Sequence, residues 1–120
     1  MSSSAVKRKL SGSTDGKAIK IIPTSTPGTT IHTAVSGTIP GTYDEVWLWA
    51  YNGHNAPVDL TVEFGGTDVP DQNIITTLPY KAGLIPIVPG FLLQNGAPVT
   101  AFTSISGVVT LNGFVNYITD

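Results

Sequence analysis

The sequence predicts an all-β fold: an antiparallel β-sandwich or jelly roll of about eight short strands. Three observations carry the prediction. Apolar and polar residues alternate strictly in Val58-Asp59-Leu60-Thr61-Val62-Glu63-Phe64, the period-2 mark of a strand with one buried face. Turn signals built from 13 Gly and 9 Pro recur along the chain, at roughly the 8–12-residue spacing of sandwich strands. No helical period survives beyond one turn. At 120 residues the chain has the size of one domain.

The elements follow in order. Residues 1–17 are Ser-rich, basic and interrupted by Gly, and bury too little apolar surface to offset their ordering entropy. They are expected to form a flexible arm ahead of a single β-sandwich domain spanning 18–120. Strands are expected over 18–22 and 30–35, flanking the turn at 23–28. The segment 45–51 is apolar on both faces: Val46, Leu48 and Ala50 on one, Trp47, Trp49 and Tyr51 on the other. Turn chemistry in Asn52-Gly53-His54-Asn55-Ala56-Pro57 joins it to 58–64 as an expected hairpin. The aliphatic face then lies on the core beside Val58, Leu60, Val62 and Phe64, and the three rings face outward. Further strands are expected over 74–78, 84–88, 99–105 and 108–118, each bounded by Pro or Gly, with Gly113 a candidate bulge.

Composition excludes several classes. There is no Cys, so neither a disulfide framework nor a thiolate metal site is available. No run approaches the ~20 apolar residues of a membrane-spanning helix, and the opening MSSSAVKRKLSG has no apolar stretch behind its charges, so a secretory signal is not expected. Charged residues make up 12% of the chain, about half the usual ~25%. Lys7, Arg8, Lys9, Lys17 and Lys20 stand in the first twenty positions with one acid, Asp15; the rest holds only Lys81 against seven acids. A basic arm on an acidic body is suited to lie across a neighbouring copy, with Lys7, Arg8 and Lys9 as its contacts; a solubilising tail is the plainer alternative. With a net charge of −2, no nucleic-acid partner and no membrane partner are expected.

From Ala82 to Thr119 there is no Asp, Glu, Lys or Arg. Charge normally keeps strand surfaces soluble and edges unpaired. Its loss, with the run Leu84-Ile85-Pro86-Ile87-Val88-Pro89-Gly90-Phe91-Leu92-Leu93, predicts a homo-oligomer whose interface includes Leu84, Ile87, Phe91 and Leu92. A neutral Thr/Asn/Ser surface is the alternative. The catalytic inventory is thin: His32 and His54 are the only His, and no nucleophile-elbow, P-loop, HExxH or EF-hand pattern occurs. Both His read as surface or interface residues, so no enzyme activity, catalytic residue or cofactor is expected. Asp68 and Asp71 lie three apart in one loop, where calcium would need Thr67, Gln72 and backbone carbonyls as further oxygen donors; the plainer reading is an Asp-rich loop cap, and no metal is expected. Trp47, Trp49 and Tyr51 suit either a protein partner, with Trp and Tyr as anchors, or stacked sugar rings.

Thr26-Pro27-Gly28-Thr29-Thr30-Ile31-His32, Tyr43-Asp44-Glu45-Val46-Trp47-Leu48-Trp49-Ala50 and Leu60-Thr61-Val62-Glu63-Phe64-Gly65-Gly66-Thr67 together resemble small virion proteins of tailed bacteriophages. Val88-Pro89-Gly90, Asn95-Gly96 and the ending Asn112-Gly113-Phe114-Val115-Asn116-Tyr117-Ile118-Thr119 continue the pattern, which covers roughly residues 26–119. The resemblance is one of turns and strands, and it transfers no residue roles. It implies a head decoration (cement) protein of β-sandwich or jelly-roll fold. Such a protein binds the outside of an assembled phage head and clamps neighbouring subunits of the major capsid protein. It further implies a virion location on the outer head surface after synthesis in the host cytoplasm, and self-association, with a trimer favoured over a dimer. The alternative is a virion-borne carbohydrate-binding module of receptor- or head-fibre type.

Overall fold

In the computed structural model, which describes residues 4–119, nine strands form two antiparallel sheets. They are β1 (Ser4–Lys9), β2 (Ile19–Lys20), β3 (Thr29–Thr33), β4 (Tyr43–Asn52), β5 (Val58–Phe64), β6 (Asn73–Leu78), β7 (Ile85–Leu93), β8 (Pro98–Thr103) and β9 (Val109–Thr119). One sheet runs β1-β9-β4-β7, with β2 continuing the β1 edge along β9; the other runs β3-β8-β5-β6. The pairings are nested: β5 with β6, β4 with β7, β3 with β8, and β1 and β2 with β9. Such nesting, a long hairpin wrapped around a core, is the jelly-roll form of the β-sandwich.

The inner faces meet over Val46, Leu48 and Ala50 of β4, Val58, Leu60 and Val62 of β5, and Val109, Leu111 and Val115 of β9, all essentially inaccessible. Burying each larger aliphatic contributes about 1.5–3 kcal/mol. The hairpin expected between β4 and β5 does not form. These strands belong to opposite sheets, and their aliphatic faces meet across the core rather than side by side. Turn residues serve a corner between sheets as well as a hairpin, and here Asn52 fixes the corner. Its buried Nδ2 donates to Ala56 O and Leu78 O, both at 3.0 Å, and its Oδ1 accepts the His54 N–H at 2.8 Å.

Two further expectations change. Strand β7 does not stop before Pro89-Gly90 but continues to Leu93, because on an edge strand a missing N–H need not interrupt the ladder. Register shifts at Val46/Trp47 and Leu48/Trp49 accommodate Pro89 and Pro86. Gly113 is not a bulge: β9 pairs with β4 without a break from Tyr43↔Ile118 to Asn52↔Val109. A Cβ at Gly113 would lie 2.0 Å from the Trp47 carbonyl oxygen, so glycine permits a close backbone approach.

The free arm expected over 1–17 is also corrected for the residues described; residues 1–3 lie outside them. Strand β1 pairs with β9 from Ser4↔Thr119 to Lys9↔Phe114. Leu10 then drops into the core at 1% exposure. Beyond it, the Gly12 N–H donates to Ile31 O at 2.9 Å, and the Thr33 N–H donates to Ser11 Oγ at 2.7 Å. A sheet edge supplies backbone partners that composition does not reveal, so a polar segment is held by hydrogen bonds and one apolar anchor.

Glu63, expected on a polar strand face, is 1% exposed. Its carboxylate accepts Thr26 Oγ1–H at 2.5 Å, the Gly28 N–H at 2.8 Å and Thr100 Oγ1–H at 2.6 Å. It thereby pins the 23–28 loop onto β8, where a Cβ on Gly28 would lie 2.1 Å from Ala101 O. Burial pushes this carboxyl up, but the bonds from Thr100, Thr26 and Gly28 outweigh it and hold the group below the ordinary Glu value.

Candidate docking face

Alternation along β4 places Trp47, Trp49 and Tyr51 on the outer face of their sheet, half-buried, with Val46, Leu48 and Ala50 beneath. Antiparallel register brings Phe114 of β9 opposite Trp47, Asn112 opposite Trp49 and Asn116 opposite Glu45. The rings of Trp47, Trp49 and Phe114 form one cluster with centroid separations of 6.3, 6.2 and 6.0 Å and planes within 27° of one another. Three nearly equal separations cannot belong to a single column; the rings tile an area of sheet. Tyr51 continues the row outside this cluster.

Neighbouring groups fix the rings. Glu45 Oε1 accepts Trp47 Nε1–H at 2.7 Å and Asn116 Nδ2–H at 2.9 Å. The Asn116 bond, then the Trp47 bond, hold the Glu45 carboxyl below its ordinary value against a smaller opposing effect of burial. Gly90 of β7 lies under the indole: with φ +84° and no side chain, it leaves the space where a Cβ would stand 2.7 Å from Trp47 Cζ2. Lys7 Nζ sits 4.6 Å from the Phe114 centroid, and Arg8 lies 4.3 Å over the Tyr117 ring. Exposed cation–π contacts of this kind contribute about 0.5–1 kcal/mol. Lys7 thus joins the aromatic group, whereas Arg8 and Lys9 line a cleft elsewhere.

That cleft, about 480 Å³, is also lined by Ser11, His32, Thr33, Val35, Asp44 and Val115. His32, expected as a surface or interface residue, is instead buried within the chain at 4% exposure. A register shift between Thr30 and His32 turns both Ile31 and His32 inward, which strict alternation does not anticipate. His32 Nδ1 accepts the Ser11 N–H at 3.0 Å, so Nε2 carries the proton and donates to Asp44 Oδ2 at 2.7 Å. The same Asp44 oxygen accepts the Val35 N–H at 3.1 Å. Both ring nitrogens are therefore engaged in tying the 10–13 segment and β3 to β4.

The other sequence candidates are dispersed. Leu84, Phe91 and Leu92 are about half exposed along the β7 side, while Ile87 is partly buried against the core and Phe91 packs edge-on against Phe64 at 6.1 Å. In the loop holding Asp68 and Asp71, the Asp68 N–H donates to Gln72 Oε1 at 2.9 Å and the Gln72 N–H to Asp68 O at 3.0 Å. Among the described residues no three His, Asp or Glu gather as metal ligands. Phe114, Glu45, Asn116 and Gly90 were missed as parts of the aromatic site. Phe114 and Asn116 stand two apart in the last strand, a signal legible only once β9 is known to lie beside β4. Comparison with protein-family models, with curated proteins and with solved structures finds no match to this chain.

Proposed function

We propose that this chain is a structural virion protein, a capsid decoration or cement protein that docks on the outside of an assembled phage head and clamps neighbouring subunits of the major capsid protein. The observation that carries the reading is the pre-positioned cluster of Trp47, Trp49 and Phe114 on an outer sheet face. Anchors of this type dominate protein interfaces, and Trp47, held by Glu45, and Phe114, beneath Lys7, lose little side-chain freedom on binding. Lys7 adds a positive charge beside the rings, and Arg8 and Lys9 of the same strand add theirs at the separate cleft, for acidic groups of the capsid. The sequence resemblance supplies the identity of the partner.

A second reading, a carbohydrate-binding module, is favoured by Asn112, Asn116 and Glu45 standing on the same face as the rings, where they suit sugar hydroxyls. Co-sedimentation with undecorated phage heads, at low and raised salt, separates the two. Decoration predicts binding that weakens with salt through Lys7, Arg8 and Lys9, and no glycan-array signal. Glycan binding without head binding would overturn it in favour of the second reading.

A further inference from the structure

We infer that the free edge of β6 is a self-pairing surface, which joins two copies of this chain about a two-fold axis centred on Ile75. The inference is independent of the proposed decoration role. It starts from the four sheet edges, which are not protected alike. On β7, Pro86 and Pro89 remove donors and the register shifts break the line of the strand. On β3, the edge is already covered: Ile31 O, the His32 ring and the Thr33 N–H are all bonded to the 11–12 segment. The β1 edge carries Lys7, Arg8 and Lys9, whose like charges oppose self-pairing. Only β6, Asn73-Ile74-Ile75-Thr76-Thr77-Leu78, has no charge, no Pro and no register shift.

The register follows from the ladder. The Phe64 N–H donates to Gln72 O at 2.7 Å, and the pairing continues through Val62↔Ile74 and Leu60↔Thr76. Bonded pairs alternate along an antiparallel ladder, so Ile74, Thr76 and Leu78 direct their backbone groups at β5. Ile75 and Thr77 direct theirs outward, as does the Asn73 carbonyl; the Asn73 N–H bends back to Pro70 O at 3.2 Å. Antiparallel pairing centred on Ile75 gives each Ile75 N–H the other copy's Ile75 carbonyl, and each Thr77 N–H an Asn73 carbonyl. The Ile75 side chain, on the outer sheet face and 66% exposed, then lies directly against its mate. The result is isologous and closed, because β3, the far edge of each four-stranded sheet, is already covered. A dimer replaces the trimer expected from resemblance.

Sedimentation equilibrium of the full chain across micromolar concentrations tests this. The wild type is expected at twice 12.6 kDa. Ile75→Lys, at an exposed site, should keep the circular dichroism spectrum and give a monomer. In the wild type, the amides of Ile75 and Thr77 should exchange more slowly in the dimer than in the Ile75→Lys variant. A monomeric wild type, a trimer, or a dimer that survives Ile75→Lys but is split by Leu92→Lys would each overturn the inference.

Discussion

Glu63 shows how much one buried carboxylate holds. Replacing it with Ala strands the Thr26 and Thr100 hydroxyls and the Gly28 N–H, and frees the loop they pin. A loss of about 2–4 kcal/mol in urea unfolding at neutral pH is expected. The carboxyl is held below its ordinary value in the folded state, while in the unfolded chain it returns to that value. The unfolded chain thus binds more protons in that window. The contribution is full above the unfolded value and is lost as pH falls through the folded one. Unfolding curves for Glu63→Gln should accordingly show a shallower acid limb than the wild type, and parallel limbs would contradict this assignment. Gly90 bears on the site itself. Gly90→Val forces a side chain into a positive-φ position and into the Trp47 ring; the Trp fluorescence maximum should shift and partner binding should weaken, with the fold retained.

At the level of elements, the strands were legible where one face is buried. Strand β5 has its expected bounds, and the aliphatic and aromatic faces of β4 are assigned correctly. What the chain did not reveal is which strands lie side by side. Turn residues at 52–57 look alike in a hairpin and in a sandwich corner, and an edge strand such as β1 draws its order from the backbone of β9, 105 or more positions away. For the same reason Phe114 could not be placed beside Trp47, and the inward turn of His32 depended on a bulge that composition does not mark. The N-terminal segment gives a direct check. Leu10→Ala should cost about 2–5 kcal/mol, as expected for a fully buried leucine. Deleting residues 1–17 should lower the melting temperature by at least as much as that substitution, and an unchanged melting temperature would show the segment to be a dispensable arm.

Over the whole molecule, the two sheets divide the work. The outer face of the β1-β9-β4-β7 sheet presents the aromatic cluster, and the β3-β8-β5-β6 sheet offers the unprotected β6 edge. A dimer built on β6 carries two such clusters, and two linked docking faces bind a repeating surface more tightly than one, provided their separation matches its repeat. Wild type and Ile75→Lys should therefore differ in head binding even though the rings are untouched. The most direct test is co-sedimentation of wild type and Trp49→Ala with undecorated phage heads, with circular dichroism confirming that both are folded. Loss of a ring at the centre of an interface costs on the order of 2 kcal/mol or more, so Trp49→Ala should bind at least about tenfold more weakly. Equal binding by the two folded proteins would contradict the assignment of this face as the docking surface.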